Sequence, residues 1–130
     1  MGNRVFRYIP ALLWMIVIFI LSHQTGSELN SYIPWVQRWF PWLDSFNAGH
    51  FVSYFLLAIL IWWGIASHRW SVSILVVLLC VIYGLTDEYH QSFVPGRTPD
   101  IEDIRNDAIG AALAMIVVKL PFIRRRMFNK

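Results

Sequence analysis

The polar residues best suited to chemistry lie between Asp87 and Gly110, in the stretch DEYHQSFVPGRTPDIEDIRNDAIG. This stretch holds six acidic residues, two arginines, and one histidine, one glutamine and one asparagine, with strongly apolar runs on both sides. Ionisable groups held close to a membrane-spanning run are costly, and by default they mark a functional site. The sequence therefore predicts that the chemistry of this protein is concentrated here.

The first part of the stretch favours acid–base chemistry. If the preceding apolar run continues as a helix, Asp87, His90 and Gln91 share one face, because residues three and four apart are neighbours on a helix. A carboxylate beside an imidazole fixes its tautomer, which suits a general base or a metal ligand. If the protein is an enzyme, we expect Asp87, Glu88 and His90 to be the catalytic residues.

The middle of the stretch predicts a turn that presents an arginine. Pro95 sets φ for a turn and Gly96 permits a positive φ, so both are expected to be structural. Arg97 follows at once, and its planar fork of donors suits a phosphate or a carboxylate. The same side chain is also suited to clamping Asp87 or Glu88 from across the turn.

The last part of the stretch reads as the start of a helix. Asp100 is a reasonable N-cap, and acids in the first turn suit the positive end of the helix dipole. Asp103, Asn106, Asp107 and Gly110 fall on one face. Small residues around Gly110 leave the helix thin, so we expect it to approach a neighbour closely and to press Asp103 and Asn106 against the preceding helix.

A metal site is the less favoured interpretation of the histidines. His50 opens an apolar run, and together with His90 and a carboxylate it would suit zinc. No HExxH or paired CxxC motif supports such a site. The sequence therefore predicts no metal and no cofactor, and a network of polar helix ends bonded to one another is the structural alternative.

The composition indicates a membrane protein. The chain has 130 residues, of which 57% are hydrophobic and only 15% are charged, against about 25% charged in soluble domains. Cys80, the only cysteine, lies in an apolar run and is expected to be a small buried hydrophobe. We predict one all-α membrane domain over residues 1–130, with a polar outer segment at 87–107 and four transmembrane helices at about 5–22, 51–67, 70–86 and 108–122.

The charges predict the orientation of these helices. With both termini cytoplasmic, the outer side keeps three of the eleven basic residues, Arg38, Arg97 and Arg105. The other eight fall inside, as the positive-inside rule requires: Arg4, Arg7, Arg69, Lys119, Arg124, Arg125, Arg126 and Lys130. Topology thus explains the basic excess, and nucleic acid is not an expected partner.

The first outer loop, residues 23–49, predicts an interfacial segment. Trp35, Trp39 and Trp42 follow a helical spacing of four and three, although Pro41 would disturb the last step. Tryptophan rings are favoured at the membrane interface, so we expect an amphipathic helix lying in it.

Taken together, these residues resemble the VanZ-like family of small bacterial membrane proteins. The family pattern of Asp-Glu-x-x-Gln, then Pro-Gly-Arg, then Asp and Asn before Gly-Ala is matched here by Asp87, Glu88, Gln91, Arg97, Asp103, Asn106 and Gly110. Weaker similarities are Leu21-Ser22-His23-Gln24 and His50-Phe51 with Tyr54. The family often carries Asp-Lys where this chain has Asn47-Ala48, so a binding contact made by that pair would be altered or lost.

The resemblance implies a multi-spanning protein of the bacterial envelope, and the charge distribution predicts that its site faces the extracytoplasmic side of the cytoplasmic membrane. The family's namesake is linked to teicoplanin resistance. We expect an envelope lipid or a glycopeptide-related ligand to be bound or shielded by a set comprising His50, Gln91, Arg97, Asp103 and Asn106. The alternatives are a hydrolase or transferase acting on a phosphate-bearing envelope lipid, and a purely structural clasp of ion pairs.

Overall fold

A computed structural model describes residues 4–42, 46–121 and 123. Within those residues the chain forms five α-helices and no strand, which confirms the predicted all-α class. A short 3₁₀ turn (Arg4–Tyr8) precedes the helices, which are α1 (Ile9–Ser22), α2 (Gly26–Trp39), α3 (Phe46–Ile65), α4 (Trp70–Gln91) and α5 (Ile101–Val117).

Three helical stretches are long and apolar enough to cross a membrane, namely Arg4–Ser22, Ala48–Ile65 and Trp70–Gln91. Each overlaps a predicted span, although α3 begins five residues earlier than expected and α4 continues to Gln91. The fourth predicted span corresponds to α5, which has 17 residues and begins with a charged first turn. The predicted end of that span at Phe122, and the basic residues Arg124, Arg125, Arg126 and Lys130, lie outside the described residues.

The outward faces of the helices are apolar. On α4, Ile74, Leu78, Ile82 and Leu85 follow one another at steps of four, four and three, and each is at least half exposed. Residues with this spacing form one stripe of a helix. Such a stripe suits contact with lipid, because lipid tails are as apolar as the side chains themselves.

The core lies where α3, α4 and α5 pack together, and α1 closes one side of it. Trp62, Leu57 and Val76 fill its centre, and Cys80 is fully buried among them, as expected for a small hydrophobe. The thin face of α5 lies against α3 rather than against α4. A Cβ at Gly110 would collide with the backbone carbonyl of Phe51.

Helix α2 confirms the helical part of the prediction for the first outer loop. The Thr25 side chain accepts from the Glu28 amide while Glu28 bonds back to the Thr25 amide, and this capping box starts the helix. The helix ends at Trp39, before Pro41, and none of its residues is buried. Trp35 and Trp39 are 66% exposed, so their rings are free to contact an interface.

At the end of the bundle away from the polar stretch, basic side chains bond to helix-end carbonyls. Arg7 donates to the Trp63 carbonyl at 2.8 Å and lies over the Trp63 ring. Lys119 donates to the carbonyl of His68 at 2.6 Å and lies over the ring of Trp70. Long cationic side chains therefore cover apolar surface here while their charges reach the helix ends.

Candidate functional site

Buried acidic residues collect where α4 ends and α5 begins. Their positions follow from the helix spacing, since α4 carries two of them in adjacent positions and α5 carries two that lie four residues apart. All four are at most 9% exposed, namely Asp87, Glu88, Asp103 and Asp107. We call these residues, together with His50 from the first turns of α3, the acidic cluster.

His50 joins α3 to α5. Its Nδ1 lies 3.1 Å from Oδ1 of Asp107, and its Nε2 lies 3.6 Å from Oδ2 of Asp103. The ring stacks nearly parallel on Tyr54, one helical turn away. An Nδ1–H that donates to Asp107 leaves the Nε2 lone pair directed toward Asp103, unless a proton occupies both nitrogens.

The end of α4 contributes a second set of contacts. Gln91 donates to Oδ2 of Asp87 at 3.3 Å and reaches the Ser22 hydroxyl of α1 at 3.4 Å. Asp87 and Gln91 thus share one helical face, as their spacing predicts. On the next position, Oε2 of Glu88 accepts from the amide of Asp100 at 2.9 Å, which ties α4 to the first turn of α5.

Gly84 makes room for Asp107. A Cβ at this position would collide with Oδ2 of the Asp107 carboxylate, so glycine lets α5 place the acid against α4 without displacing it. The sequence interpretation did not include Asp107 or Gly84 in the site. The sequence analysis placed Asp107 on one face with Asp103, and that spacing of four was the signal that could have added Asp107 to the site.

Each acid of the cluster keeps one oxygen without a hydrogen-bond partner among the described residues. These atoms are Oδ1 of Asp87, Oε1 of Glu88, Oδ1 of Asp103 and Oδ2 of Asp107. Buried oxygens without partners are uncommon in proteins, and each calls for an explanation such as a bound ion or a functional role.

The predicted turn presents Arg97 to a cavity. Gly96 has a φ of +74°, and the amide of Arg97 donates to the carbonyl of Val94 at 3.1 Å, as in a type II turn with Pro95 in its second position. The Arg97 side chain is half-buried. Within the described part of the chain it forms no ion pair, so it does not clamp Asp87 or Glu88.

The cavity is lined by polar and by apolar residues, which we call its polar wall and its apolar wall. Its volume is about 120 Å³. The polar wall combines Arg97, His50 and Asp87 with hydroxyl-bearing side chains of α1 and α3, which are Ser22, Ser53 and Tyr54. The apolar wall is formed by Ile18 and Leu21 of α1 and Leu29 of α2. The site thus offers a cation and hydrogen-bonding groups beside a surface suited to hydrocarbon.

One residue expected at the site, His90, has its contacts elsewhere. His90 turns toward α1, where its Nε2 lies 3.2 Å from Nδ1 of His23 and its ring packs on Phe19. The contacts of His90 are therefore with α1, whereas Asp87 and Gln91 of the same helix end are buried. Asn106 is half-buried, and its side chain makes no hydrogen bond with the described residues.

The acidic cluster has a geometry that could hold a metal ion. His50, Glu88 and Asp103 each offer one ligand atom, and these atoms all lie within 4.8 Å of one another. The set differs from the one considered from sequence, since Glu88 and Asp103 join His50 in place of His90. Imidazole and carboxylate are both common ligands of divalent metals.

Comparisons with known proteins agree with the sequence resemblance. The VanZ/LLP1 family matches residues 7–124 of the chain. An uncharacterised protein of Schizosaccharomyces pombe is 35% identical over 77 residues, which are 58% of this chain and 48% of that protein. The chain thus matches about half the length of this relative. No solved structure matches. Because the family match covers nearly the whole chain, this protein belongs to the VanZ/LLP1 family.

Proposed function

We propose that this protein binds a lipid with a phosphate-bearing headgroup in the cavity beside the acidic cluster. One observation carries the proposal: Arg97 lines the cavity without an ion-pair partner among the described residues. A guanidinium donates two parallel hydrogen bonds to a phosphate, which makes Arg the preferred residue for such a group. The apolar wall of Ile18, Leu21 and Leu29 would receive the first part of the lipid chain.

The size of the cavity favours a lipid headgroup over a glycopeptide. A space of about 120 Å³ accommodates a small polar group. Pockets that enclose drug-sized ligands span roughly 300–1,000 Å³. A glycopeptide-related ligand and a role in teicoplanin resistance rest on the family resemblance, and the proposed contribution to resistance is the shielding of an envelope lipid.

The proposal includes a topology. Four spans, with α5 as the fourth and both termini cytoplasmic, would place the site on the extracytoplasmic side of a bacterial cytoplasmic membrane and α2 in the outer interface. The charge distribution supports this, because the acidic cluster lies at one end of the bundle while Arg7 and Lys119 lie at the other. Labelling with a membrane-impermeant maleimide tests it. A cysteine at Ser92 should react from outside intact cells, and one at Arg69 should not.

The binding test uses native mass spectrometry of the detergent-solubilised protein with a phosphatidic acid and a diacylglycerol of the same chains. We expect the phosphatidic acid alone to be retained. Arg97→Ala should weaken its binding about tenfold or more, because a hydrogen bond to a charged group contributes about 1.5–3 kcal/mol. Arg97→Lys should recover only part of the affinity, because the ammonium lacks the planar fork.

The matched control is Arg105→Ala, which removes an exposed arginine from the same end of the bundle. Equal weakening by both variants would indicate a general attraction of charge, and the proposal would fail. Competition with inorganic phosphate separates recognition of the headgroup from recognition of the whole lipid. If inorganic phosphate displaces the lipid at millimolar concentration, the headgroup provides most of the binding and the apolar wall contributes little.

Catalysis on the bound lipid is the second candidate, and Asp87 favours it because this buried acid lines the cavity. Asp87 and Glu88 would supply a general base or nucleophile, and Arg97 would stabilise developing charge. His90 faces α1, so it enters this mechanism only if the helix end rearranges. Mass spectrometry of the free lipids after incubation decides: a product formed by the wild type and not by Asp87→Asn would establish an enzyme.

A further inference from the structure

We infer that His50, Glu88 and Asp103 bind a divalent transition-metal ion of the Zn²⁺ or Mn²⁺ type. The three residues come from α3, α4 and α5, and their ligand atoms all lie within 4.8 Å of one another. Bonds of about 2.0–2.2 Å in tetrahedral geometry put two ligands roughly 3.3–3.6 Å apart. The Nε2 atom of His50 and Oδ2 of Asp103 are separated by 3.6 Å, so this pair is already spaced as two ligands of one ion.

His50 is held as metal-ligating histidines are held. Its Nδ1 contacts the fully buried carboxylate of Asp107 at 3.1 Å. A histidine that binds a metal through one nitrogen usually donates the other N–H to a carboxylate, which fixes the tautomer and the ring orientation. Gly84 leaves space for the Asp107 carboxylate, and Tyr54 stacks on the imidazole of His50. Both partners of the His50–Asp107 contact are therefore held by their neighbours.

Glu88 has one carboxylate oxygen available to bind an ion. Its Oε2 is fixed by the amide of Asp100 at 2.9 Å, while its Oε1 has no hydrogen-bond partner among the described residues. Oδ1 of Asp103 is in the same state. Glu88 is 5% exposed and the Asp103 side chain is 12% exposed, and the two oxygens themselves are buried, so water from bulk solvent does not readily satisfy them. An ion bound by Oε1 of Glu88 and by both carboxylate oxygens of Asp103 would explain why these two buried acceptors are left without donors.

The charge of the site also favours a bound cation. The described part of the site holds four buried acids, and the only side chains there that can carry a positive charge are the imidazole of His50 and the guanidinium of Arg97. Buried charges in proteins are paired or coordinate metals, because an isolated carboxylate is costly to remove from water. A divalent ion supplies the missing positive charge at the centre of the cluster. Protons on the acids would relieve the same repulsion, and they are the competing explanation that the experiment must separate.

The ligand set also indicates the class of ion and its use. Imidazole suits zinc and other transition metals, whereas sites made of oxygen alone suit magnesium and calcium. Three protein ligands leave at least one coordination position open, as in catalytic rather than structural zinc sites. That position would accept a phosphate oxygen and offset the repulsion between the acids and an anionic headgroup. In this respect the inference deepens the proposed lipid binding, but metal binding is measured without lipid.

The experiment uses the full-length protein in detergent after treatment with EDTA and exchange into metal-free buffer. Isothermal titration calorimetry with Mn²⁺ and with Zn²⁺, and metal analysis after gel filtration, measure affinity and stoichiometry. We expect about one ion per chain. Glu88→Gln should weaken binding at least 10-fold, and Asp107→Asn should weaken it about 10- to 100-fold as the partner of the ligating histidine. Glu102→Gln, which alters an exposed acid on α5, is the matched control and should leave binding unchanged.

The inference is overturned if the wild type binds no ion, or if Glu88→Gln and Glu102→Gln bind equally well. Circular dichroism establishes whether the variants fold. If Glu88→Gln does not fold, Co²⁺ added to the wild-type protein decides. A visible ligand-field spectrum that Zn²⁺ abolishes, without the charge-transfer band of a Co²⁺–thiolate bond to Cys80, supports the site. Absence of that spectrum refutes it.

The two proposals fail in different ways. If the metal site is wrong and lipid binding is right, EDTA leaves the retention of phosphatidic acid unchanged. If lipid binding is wrong and the metal site is right, Mn²⁺ or Zn²⁺ still binds, and Arg97→Ala has no effect on lipid retention.

Discussion

The two ends of the helical bundle handle charge in opposite ways. At one end, Arg7 and Lys119 reach backbone carbonyls and lie over tryptophan rings, so each charge has an acceptor and each stem covers apolar surface. At the other end, buried acids crowd around His50 and each keeps one oxygen without a hydrogen-bond partner among the described residues. The first arrangement is what stability alone would favour. The second is costly, and costly polar groups persist at functional sites.

The two ends also differ in how closely their helices pack. The acidic end depends on glycines, because Gly84 admits Asp107 and Gly110 lets α5 touch the backbone of α3. The basic end is joined by long flexible side chains, which tolerate small movements of the helices. We therefore expect substitutions at the acidic end to have larger effects, and in one case the opposite sign.

The largest expected effect is that of Gly110→Ala. The added Cβ would collide with the Phe51 carbonyl, and backbone cannot move aside cheaply. Overpacking of this kind costs about 1–3 kcal/mol. Gly49→Ala is the matched control, because a Cβ there has nothing within 4 Å. Thermal unfolding in detergent should show a lower Tm for Gly110→Ala alone. Equal Tm values for the two variants would refute the close approach of α5 and α3.

Asp87→Asn tests the comparison because we expect it to stabilise the protein rather than destabilise it. The asparagine keeps the acceptor for Gln91 and removes one negative charge from the crowded cluster. We expect the free energy of unfolding of the metal-free protein to rise by about 1 kcal/mol, while any turnover that depends on the Asp87 carboxylate declines, as for many functional polar groups. A structural clasp requires the opposite result. Chemical denaturation in mixed micelles with EDTA measures the change, and a loss of stability would favour the clasp.

Lys119→Ala should have the sign expected of an ordinary stabilising contact. It removes the hydrogen bond to the His68 carbonyl and the contact with the Trp70 ring. Together these contribute about 0.5–1 kcal/mol at a partly exposed position. Lys119→Arg is the control that keeps the charge and should restore most of the stability. If Lys119→Ala were as damaging as Gly110→Ala, the contrast between the two ends would not hold.

The smallest effect is expected at the start of α2, outside both ends. Two hydrogen bonds from Thr25 lower the pKa of Glu28, so this part of the helix N-terminus is fully supported above the ordinary pKa of Glu and loses that support as the pH falls through the lowered value. Thr25→Ala should increase amide exchange in the first turn of α2 at neutral pH and reduce its dependence on acid, while the backbone amide of residue 25 still donates to Glu28. Hydrogen exchange measured by mass spectrometry tests this, and the exchange of α4 should stay unchanged.

The sequence by itself determined the all-α membrane class of the protein and the positions of its main turn and helix cap. Long apolar runs cannot form a soluble fold of this size, so they predict membrane helices whatever their packing. Pro95 and Gly96 specify their turn, and Asp100 caps α5 by accepting from the amide of Glu102, as predicted. These features are local, because backbone geometry and capping depend on residues that are neighbours in the chain.

Only the tertiary structure decided which polar residues meet. The sequence placed His90 with Asp87 and Gln91, yet His90 packs on α1, and His50 takes the central position with Asp107 and Asp103. Helical spacing fixes which residues share a face, but the rotation of each helix depends on packing between helices distant in sequence. Here that rotation follows from the small residues at Gly84 and Gly110, whose missing side chains matter only once another helix lies against them.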